Sequence, residues 1–387
     1  MSDTARLKAY FFAYFAYVGI VSPYLSLYLA DVGYTVAQIG VLLSLPQWMR
    51  IVAPPFWGWL ADTGGRADRL MRISGVLTLL AVLMLPVLAQ FGFAATALAL
   101  ALLFFVSAAQ MPIGEARTLA VTDGDADAYG KIRLWGSVGF IGAVALVGLA
   151  LDRFGTATLP TWMALVLAAL LVIIWSLPKE GAPSAARQVL VRLRDRLRER
   201  SVAAFFIANF LMLFAHAAYY VLFSLFLEAQ GYSKTAIGLL WTLGVLAEVV
   251  LFRWQRVLFD RYRALVLLAA SIAIAALRFA MIGASAGSLT LILVAQLLHA
   301  FTFGLHHSAV MKVLHQWFDA RQQARAQALY VTTAYGLGGA LGGLVVSALW
   351  VQASPAWAFY GAALAAGLGA IVMLAGIRAA PADGVRP

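Results

Sequence analysis

Charged and imidazole side chains lie inside segments of this sequence that are otherwise apolar. An ionisable group within a lipid bilayer costs about 2.5 kcal/mol or more unless it is paired or hydrated, so each such group is a candidate for binding a solute or carrying a proton. The candidates are Arg50, Glu115, Arg133, His216, Glu248, Arg278 and His299. The chemistry open to them is ion pairing with a carboxylate, hydrogen bonding to hydroxyl groups and proton transfer.

Glu115 and Arg133 stand at the two ends of an acidic turn. Glu115 ends one apolar run, Arg133 begins the next, and the turn from Asp123 to Gly130 joins the runs. Since helices joined by a short turn are antiparallel neighbours, the carboxylate and the guanidinium can meet across the hairpin. Two interpretations stay open, a functional pair and an ordinary salt bridge at the membrane surface.

Glu248, Arg278 and His299 fall near the middle of three later apolar runs. At a rise of about 1.5 Å per residue, each lies within about 5–7 Å of the predicted bilayer centre. Burying a Glu248–Arg278 pair at that depth costs free energy, and a role in packing alone would not require two charges there. These residues are therefore predicted to be functional, with a purely structural pair as the alternative.

Histidine occurs in two further places within apolar runs. His216 lies mid-run beside Tyr219 and Tyr220, and these three are predicted to contact a bound solute, with a hydrogen-bonding strut as the alternative for His216. A strut is the favoured interpretation of His306 and His307. No metal site is expected, because no carboxylate stands at ligand spacing from the last two histidines.

The composition is that of a membrane protein. Of the 387 residues, 63% are hydrophobic and 12% are charged, against about 25% charged in soluble domains. Apolar runs of about 20 residues, each long enough to cross about 30 Å of hydrocarbon, recur along the chain. They predict an all-α protein with twelve transmembrane helices, at about 9–30, 38–61, 71–90, 94–120, 131–151, 159–177, 202–228, 236–257, 264–284, 289–314, 323–351 and 356–378.

The charged loops give the orientation. Of the 28 basic residues, all but Arg50, Arg153, Lys234 and Arg278 fall at the termini or in loops on one side of the predicted membrane. By the positive-inside rule that side and both termini are cytoplasmic. The net charge of +11 therefore does not indicate nucleic-acid binding. The chain has no cysteine, so disulfides and cysteine-ligated metals are excluded.

The longest loop divides the chain. It predicts a first six-helix bundle over 1–177, a linker over 178–201 and a second bundle over 202–387. Within the linker, Leu190, Leu193 and Leu197 share one helical face surrounded by arginine. That pattern favours a helix lying on anionic lipid headgroups, with a solvated linker helix as the alternative. Two six-helix halves suggest an internal repeat of the kind found in transporters.

The second-to-third loop carries a recognisable signature. Its sequence Gly58-Trp-Leu-Ala-Asp62-Thr-Gly-Gly65-Arg66 resembles the conserved loop of the major facilitator superfamily, whose fold has two pseudo-symmetric six-helix bundles. The resemblance implies that Gly58, Asp62, Gly65 and Arg66 form a conformational lock between helix ends.

Longer phrases narrow the resemblance to the lactose-permease branch, and within it to the bacterial phenylpropionate permeases. They are Tyr129-Gly-Lys-Ile-Arg-Leu-Trp-Gly-Ser-Val-Gly-Phe140, His216-Ala-Ala-Tyr-Tyr220, Gly231-Tyr-Ser, Leu240-Trp-Thr-Leu-Gly-Val-Leu-Ala-Glu248-Val and Leu298-His-Ala-Phe-Thr-Phe303. By this resemblance Glu115 and Arg133 bind substrate, while Glu248, Arg278 and His299 couple protons to transport.

Two positions depart from the sugar transporter of that branch. Thr302 stands where it has a carboxylate, and Gln296 where it has a lysine. Sugar is therefore not the favoured substrate, and Arg50, Arg133 and Arg278, all expected to be buried, could each hold a carboxylate. The resemblance implies proton symport of a small organic solute such as an aromatic carboxylate, by alternating access.

The alternatives are a sugar or nucleoside symporter and a drug/proton antiporter, although the fifth span lacks the Gly-Pro pair typical of efflux members. An enzyme is not expected, because the chain has neither Gly-x-Ser-x-Gly nor His-Glu-x-x-His. We expect a monomer in a bacterial inner membrane that needs no cofactor besides protons. Its partners would be substrate and lipids, with no nucleic acid.

Overall fold

A computed structural model describes residues 2–62, 67–177 and 193–379. Among these residues, twelve helices are long and apolar enough to cross a membrane, which confirms the predicted all-α class and the number of spans. We number them α1 to α12. They are Asp3–Asp31, Val36–Ala61, Ala67–Ala89, Phe93–Val121, Asp127–Phe154, Thr156–Ser176, Arg200–Ala229, Lys234–Arg261, Ala264–Gly283, Leu289–Trp317, Gln322–Gln352 and Pro355–Arg378.

The turn between α4 and α5 shows how local sequence sets the geometry. Asp123 and Gly124 both have positive φ, at 49° and 76°, a region that asparagine, aspartate and glycine tolerate best. Asp125 then caps α5, since its Oδ1 accepts the backbone N–H groups of Asp127 at 2.8 Å and Ala128 at 3.3 Å. A tight turn followed by a strong N-cap holds the ends of α4 and α5 close together.

Several spans are not regular α-helices, which the sequence did not predict. α7 contains a π-helical segment at Ala218–Leu222, α10 one at Ala300–Leu305 and α11 one at Val331–Gly338. A π-helical turn carries an extra residue that the α-helical ladder does not accommodate, and such turns occur frequently at functional sites. The first two of these segments contain or adjoin predicted site residues.

The chain separates into two compact units. Unit 1 comprises Met1–Ala186 with Leu227–Thr242, and unit 2 comprises Arg187–Phe226 with Leu243–Pro387. The first residues of α8 thus pack within unit 1. The division of the chain at the 178–201 linker stays a prediction, because residues 178–192 lie outside the described residues.

Glycine permits the closest helix contacts in each unit. In unit 1, a Cβ added to Gly139 of α5 would overlap the backbone of Phe12 in α1. In unit 2, a Cβ on Gly338 of α11 would lie 2.7 Å from the carbonyl oxygen of Phe210 in α7, and one on Gly342 would overlap that of Phe214. Small residues at these points let two backbones touch, as is common in membrane helix pairs.

The residues predicted to form the conformational lock and the lipid-facing helix lie largely outside the described residues. Gly65 and Arg66 lie there, and Gly58 is exposed on α2 near its end, Asp62. Of the linker, a helical turn at Arg194–Leu197 is described. The conformational lock and the lipid-facing helix therefore stay predictions.

The end of α5 is joined to the start of α8 within unit 1. Asp152 accepts hydrogen bonds from the backbone N–H groups of Lys234 and Thr235, both at 2.8 Å, and from the Thr235 hydroxyl at 2.6 Å. A carboxylate at a helix N-terminus satisfies unpaired N–H groups and is favoured by the helix dipole. Sequence analysis missed this role of Asp152, whose partner lies 82 residues away in the chain.

Tyr24 of α1 lies at the contact between α5 and the start of α8. Its hydroxyl donates to the carbonyl oxygen of Val144 at 2.7 Å and lies 3.3 Å from that of Lys234. Gly148 and Gly238 leave the space, because a Cβ on Gly238 would lie 2.8 Å from Val144 O and would overlap the tyrosine hydroxyl. Neither glycine tolerates a side chain without movement of α5 against the start of α8.

We expect Gly238→Ala to destabilise the protein by about 1–3 kcal/mol through overpacking. The measurement is the midpoint of thermal unfolding in detergent, followed by tryptophan fluorescence. Gly142→Ala on α5 is the matched control, because its Cβ would meet no atom within 4 Å while gaining the same helix propensity. Equal midpoints for the two variants would contradict the close contact.

Candidate functional site

Arg133 lies against aromatic rings of α1. Its guanidinium carbon is 3.9 Å from the centre of the Phe15 ring and 5.5 Å from that of Phe11. Gly136, one turn later on α5, makes room for this arrangement, since a Cβ there would lie 2.8 Å from both Arg133 Nη1 and Phe15 Cδ2. A cation over an aromatic face is stabilised by about 0.5–2 kcal/mol. The arginine is thereby oriented while remaining partly exposed.

The structure brings Glu115 and Arg133 together, and Tyr129 lies between them. The Tyr129 hydroxyl donates to Glu115 Oε1 at 3.5 Å and also forms a hydrogen bond with Arg133. An electrostatic interaction joins the carboxylate to the guanidinium. Both charged side chains are partly exposed. Sequence analysis predicted the meeting of the pair across the hairpin but not the bridging hydroxyl.

An aromatic face of α1 completes this part of unit 1. Tyr10 and Tyr14 stack with ring centres 6.1 Å apart. The charged side chains of Glu115 and Arg117 lie near Tyr10, and those of Arg50, Glu115 and Arg133 lie near Tyr14. We call Arg50, Glu115, Arg117, Tyr129 and Arg133, with the α1 aromatic residues Tyr10, Phe11, Tyr14 and Phe15, the unit 1 cluster.

Two expectations for this cluster need revision. Arg50 was expected to be buried, but it is exposed on α2. Arg117 is 4% exposed and was assigned to a loop. The α1 aromatic residues were missed as well, although Tyr10, Phe11, Tyr14 and Phe15 follow helical spacing and so mark one face of the first span.

In unit 2, Arg278 is completely buried and held by neutral groups. Its Nε donates to the carbonyl oxygen of Ala295 at 2.9 Å, Nη1 to Thr302 Oγ1 at 3.2 Å and Nη2 to Gln296 Oε1 at 3.2 Å. The guanidinium carbon lies 4.4 Å from the centre of the Tyr219 ring. Gln296 in turn donates to the Tyr219 hydroxyl at 3.0 Å.

These contacts correct the expected Glu248–Arg278 ion pair. Among the described residues, the hydrogen bonds of Arg278 run to neutral oxygen atoms rather than to a carboxylate. The physical reason is that Gln296 and Thr302 both present oxygen atoms to the guanidinium. They are the two positions at which the chain departs from the sugar transporter of the resembled branch.

His299 and Glu248 occupy the contact between α8 and α10. The His299 ring stacks on Phe303 and on Tyr219, each with ring centres 5.3 Å apart, and a Cβ on Gly244 would lie 3.2 Å from the imidazole. A Cβ on Gly304 would lie 2.8 Å from Glu248 Cγ. Glu248 is partly buried and interacts electrostatically with Tyr219.

The remaining histidines differ in environment. His216 is 2% exposed, its Nδ1 lies 3.0 Å from the carbonyl oxygen of Met212, and its ring packs edge-on against Phe279. Tyr220 packs edge-on against Tyr219 and is partly exposed. His306 is buried and His307 is exposed.

Within unit 2, Glu248, Arg278, His299, His216, Tyr219 and Tyr220 thus lie around one another. That this group and the unit 1 cluster face a shared chamber stays a prediction of the sequence.

Comparison with known proteins identifies the family. The chain matches the MFS_1 like family over residues 4–361. It is 30% identical over 347 residues to the probable 3-phenylpropionic acid transporter of Escherichia coli (strain K12), covering 87% of this chain and 88% of that protein. It is 28% identical over 332 residues to the maltose permease of Geobacillus stearothermophilus, covering 85% and 83%.

Solved structures support the fold. The nucleoside transporter NupG superposes with a TM-score of 0.83 at 16% identity, covering 98% of this chain and 99% of NupG. The transporter PepTSo of the POT family superposes with a TM-score of 0.74 at 14% identity, covering 97% of each chain. The predicted major facilitator fold is therefore confirmed, and the chain belongs to the MFS_1 like family, as a secondary transporter and not an enzyme.

Proposed function

We propose that the protein is a proton-coupled symporter that imports a small aromatic carboxylate by alternating access. It would lie in a bacterial inner membrane with both termini and the basic loops in the cytoplasm, as the positive-inside pattern predicts. The relative from Escherichia coli, whose name refers to 3-phenylpropionic acid, supports this substrate class.

The charge of the unit 1 cluster carries the proposal. The interactions that act on Tyr10 and Tyr14 involve three arginines, Arg50, Arg117 and Arg133, against the carboxylate Glu115. That excess of positive charge suits an anion. A guanidinium binds a carboxylate with two parallel hydrogen bonds, and the aromatic face of α1 offers rings against which an aryl group can pack at about 0.5–1.5 kcal/mol per ring pair.

A second candidate is uptake of a sugar or nucleoside. Glu115 and Tyr129 can accept hydrogen bonds from substrate hydroxyl groups, and a carboxylate inside the cluster opposes an anionic substrate. The relative named as a maltose permease supports this candidate. The two candidates differ in whether the substrate carries a negative charge.

The coupling proposal concerns Glu248, Arg278 and His299. Because neutral oxygen atoms hold Arg278, its positive charge stays in place without a fixed counter-ion among the residues that the structure describes. Glu248 would carry the proton, since its ionised form is attracted by that charge and its protonated form is not. His299 and Tyr219 lie next to the guanidinium and would transmit the influence of its charge to Glu248. Of the unit 2 residues predicted from the sequence to contact substrate, Tyr220 is partly exposed and keeps that proposed role. His216 and Tyr219 are at most 2% exposed, so we do not propose that they contact substrate.

We expect 3-phenylpropionate to raise the unfolding midpoint of the purified protein, and Arg133→Ala to abolish that shift. A ligand at about 100 times its Kd stabilises the native state by about 2.7 kcal/mol. The measurement is thermal unfolding with 3-phenylpropionate, maltose or uridine. Arg153→Ala, an exposed arginine near the end of α5, is the matched control. Stabilisation by maltose or uridine alone would favour the second candidate.

We expect Glu248→Gln to abolish proton-driven accumulation of 3-phenylpropionate but to retain its counterflow exchange, since exchange needs no net proton movement. Both are measured in proteoliposomes, with and without an imposed pH gradient. Glu199→Gln is the control, because Glu199 forms an i,i+3 pair with Arg196 and is 39% exposed. Equal loss of exchange and accumulation in Glu248→Gln would show that Glu248 is not the coupling residue.

A further inference from the structure

Four buried side chains of α7 and α10 in unit 2 have a polar atom without a hydrogen-bond partner among the described protein atoms. These atoms are Asn209 Oδ1, His216 Nε2, His299 Nδ1 and His306 Nε2. The four residues are at most 5% exposed. We call them the buried ladder. An unpartnered buried polar group costs about 1–3 kcal/mol, and the usual partner in such a place is an internal water molecule.

The ladder follows two helices, α7 and α10, whose side chains meet at Phe205 and Trp317 and at Tyr219 and His299. Asn209 and His216 are seven residues apart on α7, and His299 and His306 are seven residues apart on α10, so each pair shares one helix face. Contact between Phe205 and Trp317, with ring centres 5.7 Å apart, fixes the relative height of α7 and α10. His216 and His306 are each eleven residues from that contact, about 16 Å along their helices.

Electrostatic interactions agree with this placement. His216 is near enough to His299 and to His306 for a charge on its ring to act on both of them. Asn209 lies nearer the Phe205–Trp317 contact, about 6 Å along α7. The ladder therefore extends from the surroundings of Arg278 towards the end of unit 2 that carries the basic loops.

The tautomer of His216 decides what its free nitrogen can do. Nδ1 lies 3.0 Å from the Met212 carbonyl oxygen, which can only accept, so Nδ1 carries the hydrogen. Nε2 of the neutral ring is then an acceptor with a free lone pair. It can take a proton from a neighbouring water molecule and return it from the same nitrogen to another.

Fixed charges set a direction for such a proton. Arg278 interacts with both His216 and His299, whereas the interactions that act on His306 come from His216 and His307. A proton on His299 or His216 is repelled by the guanidinium and gains by moving towards His306. Glu248, which interacts with the neighbouring Tyr219, is the proposed source of the proton.

A metal site is the other function that three histidines suggest. Within the described part of the chain, no group of three histidine, cysteine, aspartate or glutamate side chains is arranged to hold a metal ion. The ladder instead presents single nitrogen and oxygen atoms at three heights along α7 and α10, with His216 and His306 at the same height. That arrangement suits a file of hydrogen-bonded water.

We propose that the buried ladder of His299, His216, His306 and Asn209 lines a hydrated path that carries protons from the Glu248–Arg278 region to the basic side of unit 2. The proposal rests on the proton coupling proposed above and adds the exit route. Each imidazole accepts a proton at its free nitrogen and passes it to the next water, so no other reactant is required.

The first test needs no substrate. In lipid bilayers, water-edited solid-state NMR of protein with 15N-labelled histidine measures how fast polarisation passes from water to each ring. We expect His216 and His306 to receive it within about a factor of three of exposed His315, with assignments from single His→Gln variants. Dry rings at His216 and His306 would overturn the proposal.

The second test follows protons directly. Proteoliposomes with an entrapped pH indicator report proton uptake when 3-phenylpropionate is added, and counterflow exchange in the same preparation reports folding and binding. We expect His216→Gln and His306→Gln to slow proton-coupled uptake tenfold or more while exchange stays within twofold of wild type. His315→Gln, exposed on the same α10, is the matched control and should leave both rates unchanged.

The outcomes separate the path from the proposed function. If wild type couples 3-phenylpropionate to protons and both glutamine variants do so at the wild-type rate, the path is refuted and the symport stands. If wild type exchanges 3-phenylpropionate without moving protons, the proposed coupling fails and the path fails with it. Loss of exchange together with coupling in both variants would assign these histidines to substrate binding and overturn the path.

Discussion

A guanidinium buried completely inside a membrane helix bundle is the constraint on which unit 2 depends. Arg278 cannot lose its proton, so its N–H groups must be satisfied wherever it lies. Ala295, Gln296 and Thr302 of α10 supply neutral oxygen atoms, and Tyr219 of α7 supplies a ring face. Moving either helix away from α9 would leave a buried charge without partners, which costs several kcal/mol. This one side chain of α9 therefore hydrogen-bonds to α10 and lies against a ring of α7.

The irregular backbone of α7 and α10 belongs to the same arrangement. Tyr219 lies within the π-helical segment of α7, and Thr302 lies within that of α10. The extra residue of a π-helical turn rotates the side chains that follow it. Such a turn can therefore point a side chain at the guanidinium that a regular α-helix would point in another direction. Residues from two places on α10, Ala295 with Gln296 and then Thr302 about two turns later, meet one guanidinium. The strain of an irregular helix is offset by hydrogen bonds to a charge.

The sequence could predict the features that depend on local composition. Length and apolarity determine the twelve spans, and a short acidic turn brings Glu115 towards Arg133. The partners of Arg278 could not be predicted, because glutamine and threonine are unremarkable within an apolar run and their meeting depends on how α9 and α10 pack. Asp152 shows the same limit, since its partners are backbone groups 82 and 83 residues away. The aromatic residues of α1 recur at helical spacing in the sequence, but they carry no charge, and uncharged aromatic residues in an apolar run do not by themselves indicate a site.

The unit 1 cluster and the buried charged and imidazole groups of unit 2 differ in solvent exposure, and this difference limits what each can bind. In unit 1, Glu115 and Arg133 are partly exposed and Arg50 is exposed, so a solute can reach their charged atoms. In unit 2, Arg278 is 0% exposed and His216, His299 and His306 are at most 5% exposed. A carboxylate solute cannot reach groups buried to that degree without unpacking the helices, whereas a proton passing along hydrogen bonds can. This difference in access supports the proposed assignment of substrate to the unit 1 cluster and of protons to unit 2.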